Sequence, residues 1–229
     1  MATTPEPSHM ANFTANLKEV DRLSDIHSIV TPQGPGRKHN VQILHKSGVV
    51  MLIACWEAFV EDLAANGLAF LLSGAHDHTV LPDDVLERVA GRLQGRKAWS
   101  LAGDGWRVAC TDHFKEVLAR TTGTLNTPKT AQVDELFNKV LGLSNLSSYW
   151  HWKGRSSTRS KAALDALVGL RGSIAHRVST ARSVRKQDVA EARELLARLA
   201  VTSHNSVNRH LTKLVASKPW EGYWFSDTR

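Results

Sequence analysis

The sequence is poor in the features that would mark a secreted or membrane-embedded protein. It has two cysteines in 229 residues, Cys55 and Cys110, both in apolar helical contexts and without CxxC spacing. That argues against a disulfide-stapled domain or a thiolate metal site and favours buried free thiols. The longest strongly apolar run is Val49–Trp56, VVMLIACW, far short of the roughly 20 residues of a membrane span. The opening MATTPEPSHM lacks a basic segment followed by an apolar one. No secretory signal is therefore expected, and the expected location is the cytoplasm, away from any membrane.

Several kinds of chemistry lack their parts. No stretch alternates apolar and polar residues for long enough to make a strand. There is no G-x-x-x-x-G-K-[ST], no H-E-x-x-H and no G-x-S-x-G, which removes P-loop hydrolysis, zincin chemistry and the serine hydrolase elbow. His76 and His78 flank Asp77, but without further ligands at fixed spacing they do not make a metal site. Neither a metal nor a cofactor is expected.

What the chain does have is helical periodicity. Residues 1–10 read as a disordered tail, and 11–229 as a single domain. Phe13, Leu17, Val20 and Leu23 lie on one face of a first helix, ended by the TPQGPG of residues 31–36. A long helix from Arg37 to Leu72 follows, apolar on nearly every side between Gly48 and Val60, as a central bundle helix would be. Pro82, Asp83 and Asp84 open another in the usual way, with proline and acids at the positive N-terminal end. LAGDGW at 101–106 breaks structure, and Trp106–Arg120 resumes it. Ala131–Leu141 is a short helix with Val133, Leu136, Phe137 and Val140 on one face. Ser160–His176 and Gln187–Ala216 complete the set. The fold class is all-α, a helical bundle with a long closing helix.

Charge is unevenly spread. Residues 1–150 hold 14 Lys and Arg against 16 Asp and Glu, whereas 151–229 hold 15 against 6. Within 151–186 there are nine basic residues and one acid, Asp165. Such a footprint suits a surface that meets phosphates. Tyr149, Trp150 and Trp152 stand beside Lys153, Arg155 and Arg159. Either the rings stack on bases while the cations hold phosphates, or they fold back and cap the bundle. The latter is the preferred expectation. The aromatic end, PWEGYWFSDTR, is expected to dock on this chain or a partner, since a free tail would expose too much ring surface.

The candidate site lies in LVGLRGSIAHR, residues 167–177. Leu164, Leu167, Val168, Leu170, Ile174 and Ala175 form an apolar stripe at helical spacing, and Arg171 and His176 interrupt it. Arginine is almost never buried unpaired, and histidine is the side chain whose ordinary charge change lies nearest neutrality. Glu57, inside the apolar central helix, is a plausible partner for Arg171. Five residues at about 100° each set Arg171 and His176 roughly 140° apart around a helix. One phosphate cannot easily meet both from one straight helix, but a two-fold axis would let two chains supply one each.

R-G-S-I-A-H resembles the R-x4-H signature of the HEPN superfamily of helical ribonucleases, and most nearly its RiboL-PSP-HEPN group. G-V-V-M-L-I-A-C-W-E-A-F-V-E-D-L resembles that group's first core helix, the N-T-P…L-F-N-K-V-L-G-L…W of residues 126–150 its middle region, and L-x-x-L-V-x-L-R-G-S-I-A-H-R its catalytic helix. Together these span about residues 40–200. Gly172 departs from the polar residue, such as Asn or Asp, that the family more often carries there. The resemblance implies an HEPN-like bundle and metal-independent RNA cleavage by a homodimer with Arg171 and His176 as catalytic residues. It also implies a setting as a toxin or antiphage defence effector, with a cognate antitoxin or regulatory partner. Chemically, His176 would move the proton of a ribose 2′-OH or of the leaving 5′-oxygen, and Arg171 would hold the phosphate. Glu57 and Ser173 would support them. Arg177, Arg182, Arg185 and Lys186, and further off Lys153, Arg155 and Arg159, would bind flanking RNA, with tRNA and mRNA both candidates. The competing expectation is a non-catalytic HEPN-like module that binds RNA or a partner protein.

Overall fold

A computed structural model describes residues 6–30, 42–121, 129–177 and 183–228. Seven α-helices are present among them: α1 (Ser8–Val30), α2 (Gln42–Gly74), α3 (Asp83–Ala90), α4 (Gly105–Thr121), α5 (Thr130–Leu141), α6 (Ser157–Arg177) and α7 (Lys186–Val215). Short 3-10 turns join them, and there is no strand among the described residues. The all-α architecture expected from the periodicity is the one observed.

The bundle is built around α2. Val49, Leu52, Ile53, Trp56, Phe59, Val60, Leu63 and Leu71 are all buried, because α1, α4, α5, α6 and α7 pack around this one helix. By length and composition alone α2 would pass for a membrane span, with a mean hydropathy of 1.5 over its most apolar 18 residues. Its neighbours account for that hydrophobicity, since a helix enclosed by others must be apolar nearly all round.

The α2 and α7 helices run side by side in the same direction. Gly48 faces Val189, Gly67 faces Val207 and Leu211, and Gly74 faces Val215. The first helix runs against both. Asn12 donates to Asp62 at 3.1 Å, and Arg193 grips Asp21 with two hydrogen bonds of 2.6 and 2.8 Å. Met10, Phe13, Leu17 and Val20 line the buried face of α1.

This helix starts earlier than the periodicity suggested. Ser8, His9 and Met10 are helical, and His9 and Met10 are fully buried, so the end of the expected tail belongs to the core. What holds it is a chain of hydrogen bonds whose proton positions are determined. His204 Nε2 lies 2.9 Å from the Glu221 carbonyl and must donate to it. Its Nδ1 therefore accepts from His9 Nε2 at 2.8 Å, and His9 Nδ1 accepts from Asn66 at 2.9 Å. Both rings are neutral. Burial and the neighbouring His204 lower the His9 pKa to about 3, and burial lowers that of His204.

Of the C-terminal aromatics, Trp220, Tyr223 and Phe225 pack against the bundle, while Trp224 stays 73% exposed. Asn208 donates to the Trp220 carbonyl at 2.8 Å, Asn205 both donates to and accepts from the Tyr223 backbone, and Trp220 sits edge-on to His9, 4.6 Å away. Trp150 also folds inward: it is fully buried, meets Trp56 edge to face at 5.9 Å and donates to Ser203 Oγ at 2.8 Å. The preferred expectation for the 149–152 aromatics was a cap on the bundle, and Trp150 is one. At the end of α5, Gly142 adopts a left-handed φ of 67° and returns its amide to Asn138. Any side chain there would strike Pro82 at 2.5 Å.

Candidate functional site

The α6 helix carries the site because its residues sort cleanly by face. Leu164, Leu167, Val168 and Ile174 are buried against the bundle, with Leu170 packed at the edge. The exception is Ala175, counted in the apolar stripe from sequence but exposed. Helical dihedrals continue without interruption through Gly169 and Gly172 to Arg177. Arg171 and His176 therefore lie about 7.5 Å apart along the axis and about 140° around it. Arg171 is half-buried and His176 exposed.

Glu57 faces this region from α2. It is half-buried, and burial and the nearby Glu61 raise its carboxyl pKa, while the Arg171 charge pulls it back. The expected pairing thus survives as an electrostatic influence; no direct ion pair between the two forms among the described residues. Ser173 is exposed and bonds within its own helix. Its hydroxyl donates to the Gly169 carbonyl one turn back at 3.2 Å, as helix serines commonly do. Around Gly172 there is open space, with nothing within 4 Å of where a Cβ would stand.

The expected RNA-binding cations divide into two groups. Arg185 and Lys186 are exposed at the start of α7, where Asp188 accepts the Arg185 amide at 2.8 Å and stops the helix from fraying. The Val184 carbonyl beside them lies 3.0 Å from His45 in the first turn of α2. Arg185 lies only eight residues after the end of α6. Arg177 is the last residue of α6, and Arg182 lies outside the described residues.

The other group sits at the opposite end of α6. At 1.5 Å per residue, Arg159 is about 18 Å from Arg171 and about 26 Å from His176 along the axis. Lys153 and Arg159 are exposed. Arg155 donates to Ser160 Oγ at 3.2 Å and to the Arg159 carbonyl at 3.3 Å and lies over the Trp152 ring, so part of its donor set already holds the loop. Among the described residues no three His, Cys, Asp or Glu side chains gather as a metal site would require. His76 instead pairs with Asp77 at 3.2 Å, and Asp77 caps the following turn by accepting from Thr79 N at 2.8 Å.

One exposed aromatic escaped the sequence reading. Trp99, on the turn between α3 and α4, is 82% exposed. The signal available was R-K-A-W, cations beside a ring in a segment without acids.

The RiboL-PSP-HEPN family model matches residues 14–209, from the first turns of α1 to the last turns of α7. No curated protein and no solved structure matches the chain.

Proposed function

The chain belongs to the RiboL-PSP-HEPN family, and from that premise we propose that it is an endoribonuclease that cuts RNA by transesterification at a site shared between two copies. The observation that carries this reading is the placement of Arg171 and His176 on one unbroken helix. Their azimuths keep them from one phosphate within a single chain. Two copies related by a two-fold axis beside α6 bring one chain's histidine to the other's arginine.

In that arrangement the substrate's 2′-oxygen attacks phosphorus, forming the 2′-O–P bond as the P–O5′ bond breaks. One His176 takes the 2′-OH proton, and the second copy's His176 supplies a proton to the leaving 5′-oxygen. The products are a 2′,3′-cyclic phosphate and a 5′-OH. Arg171 holds the phosphoryl oxygens and meets the charge that grows on them. Glu57, across from Arg171 and near enough to feel its charge, limits where the guanidinium can point. Arg177, Arg185 and Lys186 hold phosphates on either side, and Arg182 joins them by sequence position. The requirement for a 2′-OH excludes DNA. In the cell the activity fits a toxin or antiphage effector restrained by a partner, in the cytoplasm, with tRNA or mRNA as target.

The test is cleavage of a total-RNA or tRNA pool by the pure protein in EDTA, beside His176→Ala and Arg171→Ala. Cyclic-phosphate ends from the parent, with both variants folded and inert, support the reading. Equal behaviour of all three makes the motif structural and the protein a module that binds RNA or a partner without cutting. Loss of a real activity in EDTA refutes the mechanism.

A further inference from the structure

Between α3 and α4 the chain makes a tight turn that holds one indole out of the molecule. Gly105 comes so close to Ser100 that a Cβ would lie 1.7 Å from its carbonyl oxygen. Ser100 Oγ donates to the Lys97 carbonyl at 2.7 Å, and the Ala102 amide donates to that of Trp99. Trp99 is 82% exposed on a backbone fastened on both sides.

Its surroundings are cationic. From Arg88 to Gly103 there are four cations and no acid; Arg88 and Arg92 pair with Asp84 and Glu116. Arg96 and Lys97 flank the indole, are exposed, and have no ion-pair partner among the described residues. Beside the turn lies a cleft of about 470 Å³, walled by Val89, Leu93, Lys97, Asp112, His113 and Glu116. Its walls offer apolar surface and the Lys97 cation, while Glu116 is paired with Arg92 and Asp112 with Lys115. His113 donates through Nε2 to the Lys139 carbonyl at 3.1 Å, leaving Nδ1 as a buried acceptor without a partner.

We infer that Trp99 is a stacking platform for a base of single-stranded RNA. Arg96 and Lys97 hold the adjoining phosphates, and the cleft receives the neighbouring base against Val89, Leu93 and Val108. This rests on the reading of the protein as an RNA-cutting enzyme and extends it: the substrate is unpaired where it meets this turn. A duplex offers no free base face to an indole, whereas every unstacked base does. Because Trp99 is not on α6, it acts on the grip and leaves the chemistry unchanged.

The experiment uses a labelled 12-nucleotide single-stranded RNA of mixed sequence, bound to the full chain carrying His176→Ala so that the probe survives. Trp99→Ala should weaken binding about tenfold or more, the usual worth of one stacked base, while Trp99→Phe retains most of the affinity. Removing both Arg96 and Lys97 should flatten the dependence of log Kd on log salt by about 1.4, for two phosphates of a single strand. A blunt RNA duplex should not distinguish Trp99→Ala from its parent. In the cutting-competent chain, Trp99→Ala should raise KM and spare kcat. An RNA affinity unmoved by Trp99→Ala overturns the inference, all the more if the variant changes the oligomeric mass. If cleavage persists in that case, the endoribonuclease reading stands alone; a parent that neither binds nor cuts RNA removes both.

Discussion

Arg155 and Arg185 are both arginines in a basic stretch beside α6, one before it and one after, and the structure puts them to opposite uses. Around the start of α6, Lys153 and Arg159 are exposed, but the arginines packed there are engaged with rings and carbonyls. Arg155 lies over Trp152 and bonds to Ser160 and Arg159, Arg198 lies 4.0 Å over Phe225, and Arg209 lies over Tyr149. Around its finish, Arg185, Lys186 and His176 are exposed, and Arg171 shares its charge with a half-buried Glu57 across the interface with α2. Charge density is similar at the two ends. What differs between Arg155 and Arg185 is how many of their donors already have acceptors, and only donors without them can take hold of a phosphate.

The strongest way to break this contrast is through the histidines. His176→Ala should lower RNA cleavage by at least about 10²-fold, the ordinary worth of a general acid or base. His151→Ala, exposed at the opposite end, should leave the rate within about twofold. Equal losses would show that both ends touch the reacting RNA.

The buried histidines extend the comparison to stability. With their pKa values lowered by burial, His9 and His204 stay neutral in the folded chain at pH values where the unfolded chain binds their protons. Stability is then full above about pH 6.5 and falls as pH drops from there toward 3. By pH 5 the loss should reach a few kcal/mol, read as a lower midpoint in urea. His113 and His210, also lowered by burial, act in the same direction. A midpoint unchanged between pH 7.5 and 5 would mean that the His9–His204 pair is not neutral and sealed.

A smaller effect separates the arginines themselves. Arg185→Ala should weaken RNA binding severalfold and lower the salt slope by about one phosphate. Arg155→Ala should leave both unchanged and reduce stability by roughly 1 kcal/mol through its lost hydrogen bonds. A salt slope that responds to Arg155 would erase the division between the two ends.

The smallest effect belongs to Gly172. With open space where its Cβ would stand, Gly172→Asn should fit and add a few tenths of a kcal/mol by helix propensity. If the shared groove uses a polar group there, as the family pattern suggests, turnover should rise as well. A fall in both would mean that a partner's backbone packs against the glycine.

The helices and the motif were legible because both are local. Periodic apolar residues place α2, α5 and α6 to within a few positions, and R-G-S-I-A-H can be read without knowing what surrounds it. Boundaries were less so: nothing in MATTPEPSHM announces that His9 will be buried, since its partners Asn66 and His204 lie 57 and 195 residues away. Ser173 beside the motif looked supportive, yet its hydroxyl had a nearer acceptor in its own helix. Nothing local in the sequence settles that Trp99 is exposed where Trp56 and Trp150 are buried; only the tertiary structure does.

By itself, then, the sequence determined the fold class, the family and the helix that carries Arg171 and His176, all of which follow from patterns within some twenty residues. Only the tertiary structure decided which cations are engaged and which are open, which histidines are sealed, and which indoles face water. Those outcomes depend on hydrogen-bond acceptors and apolar neighbours brought from distant parts of the chain, and no local pattern encodes them.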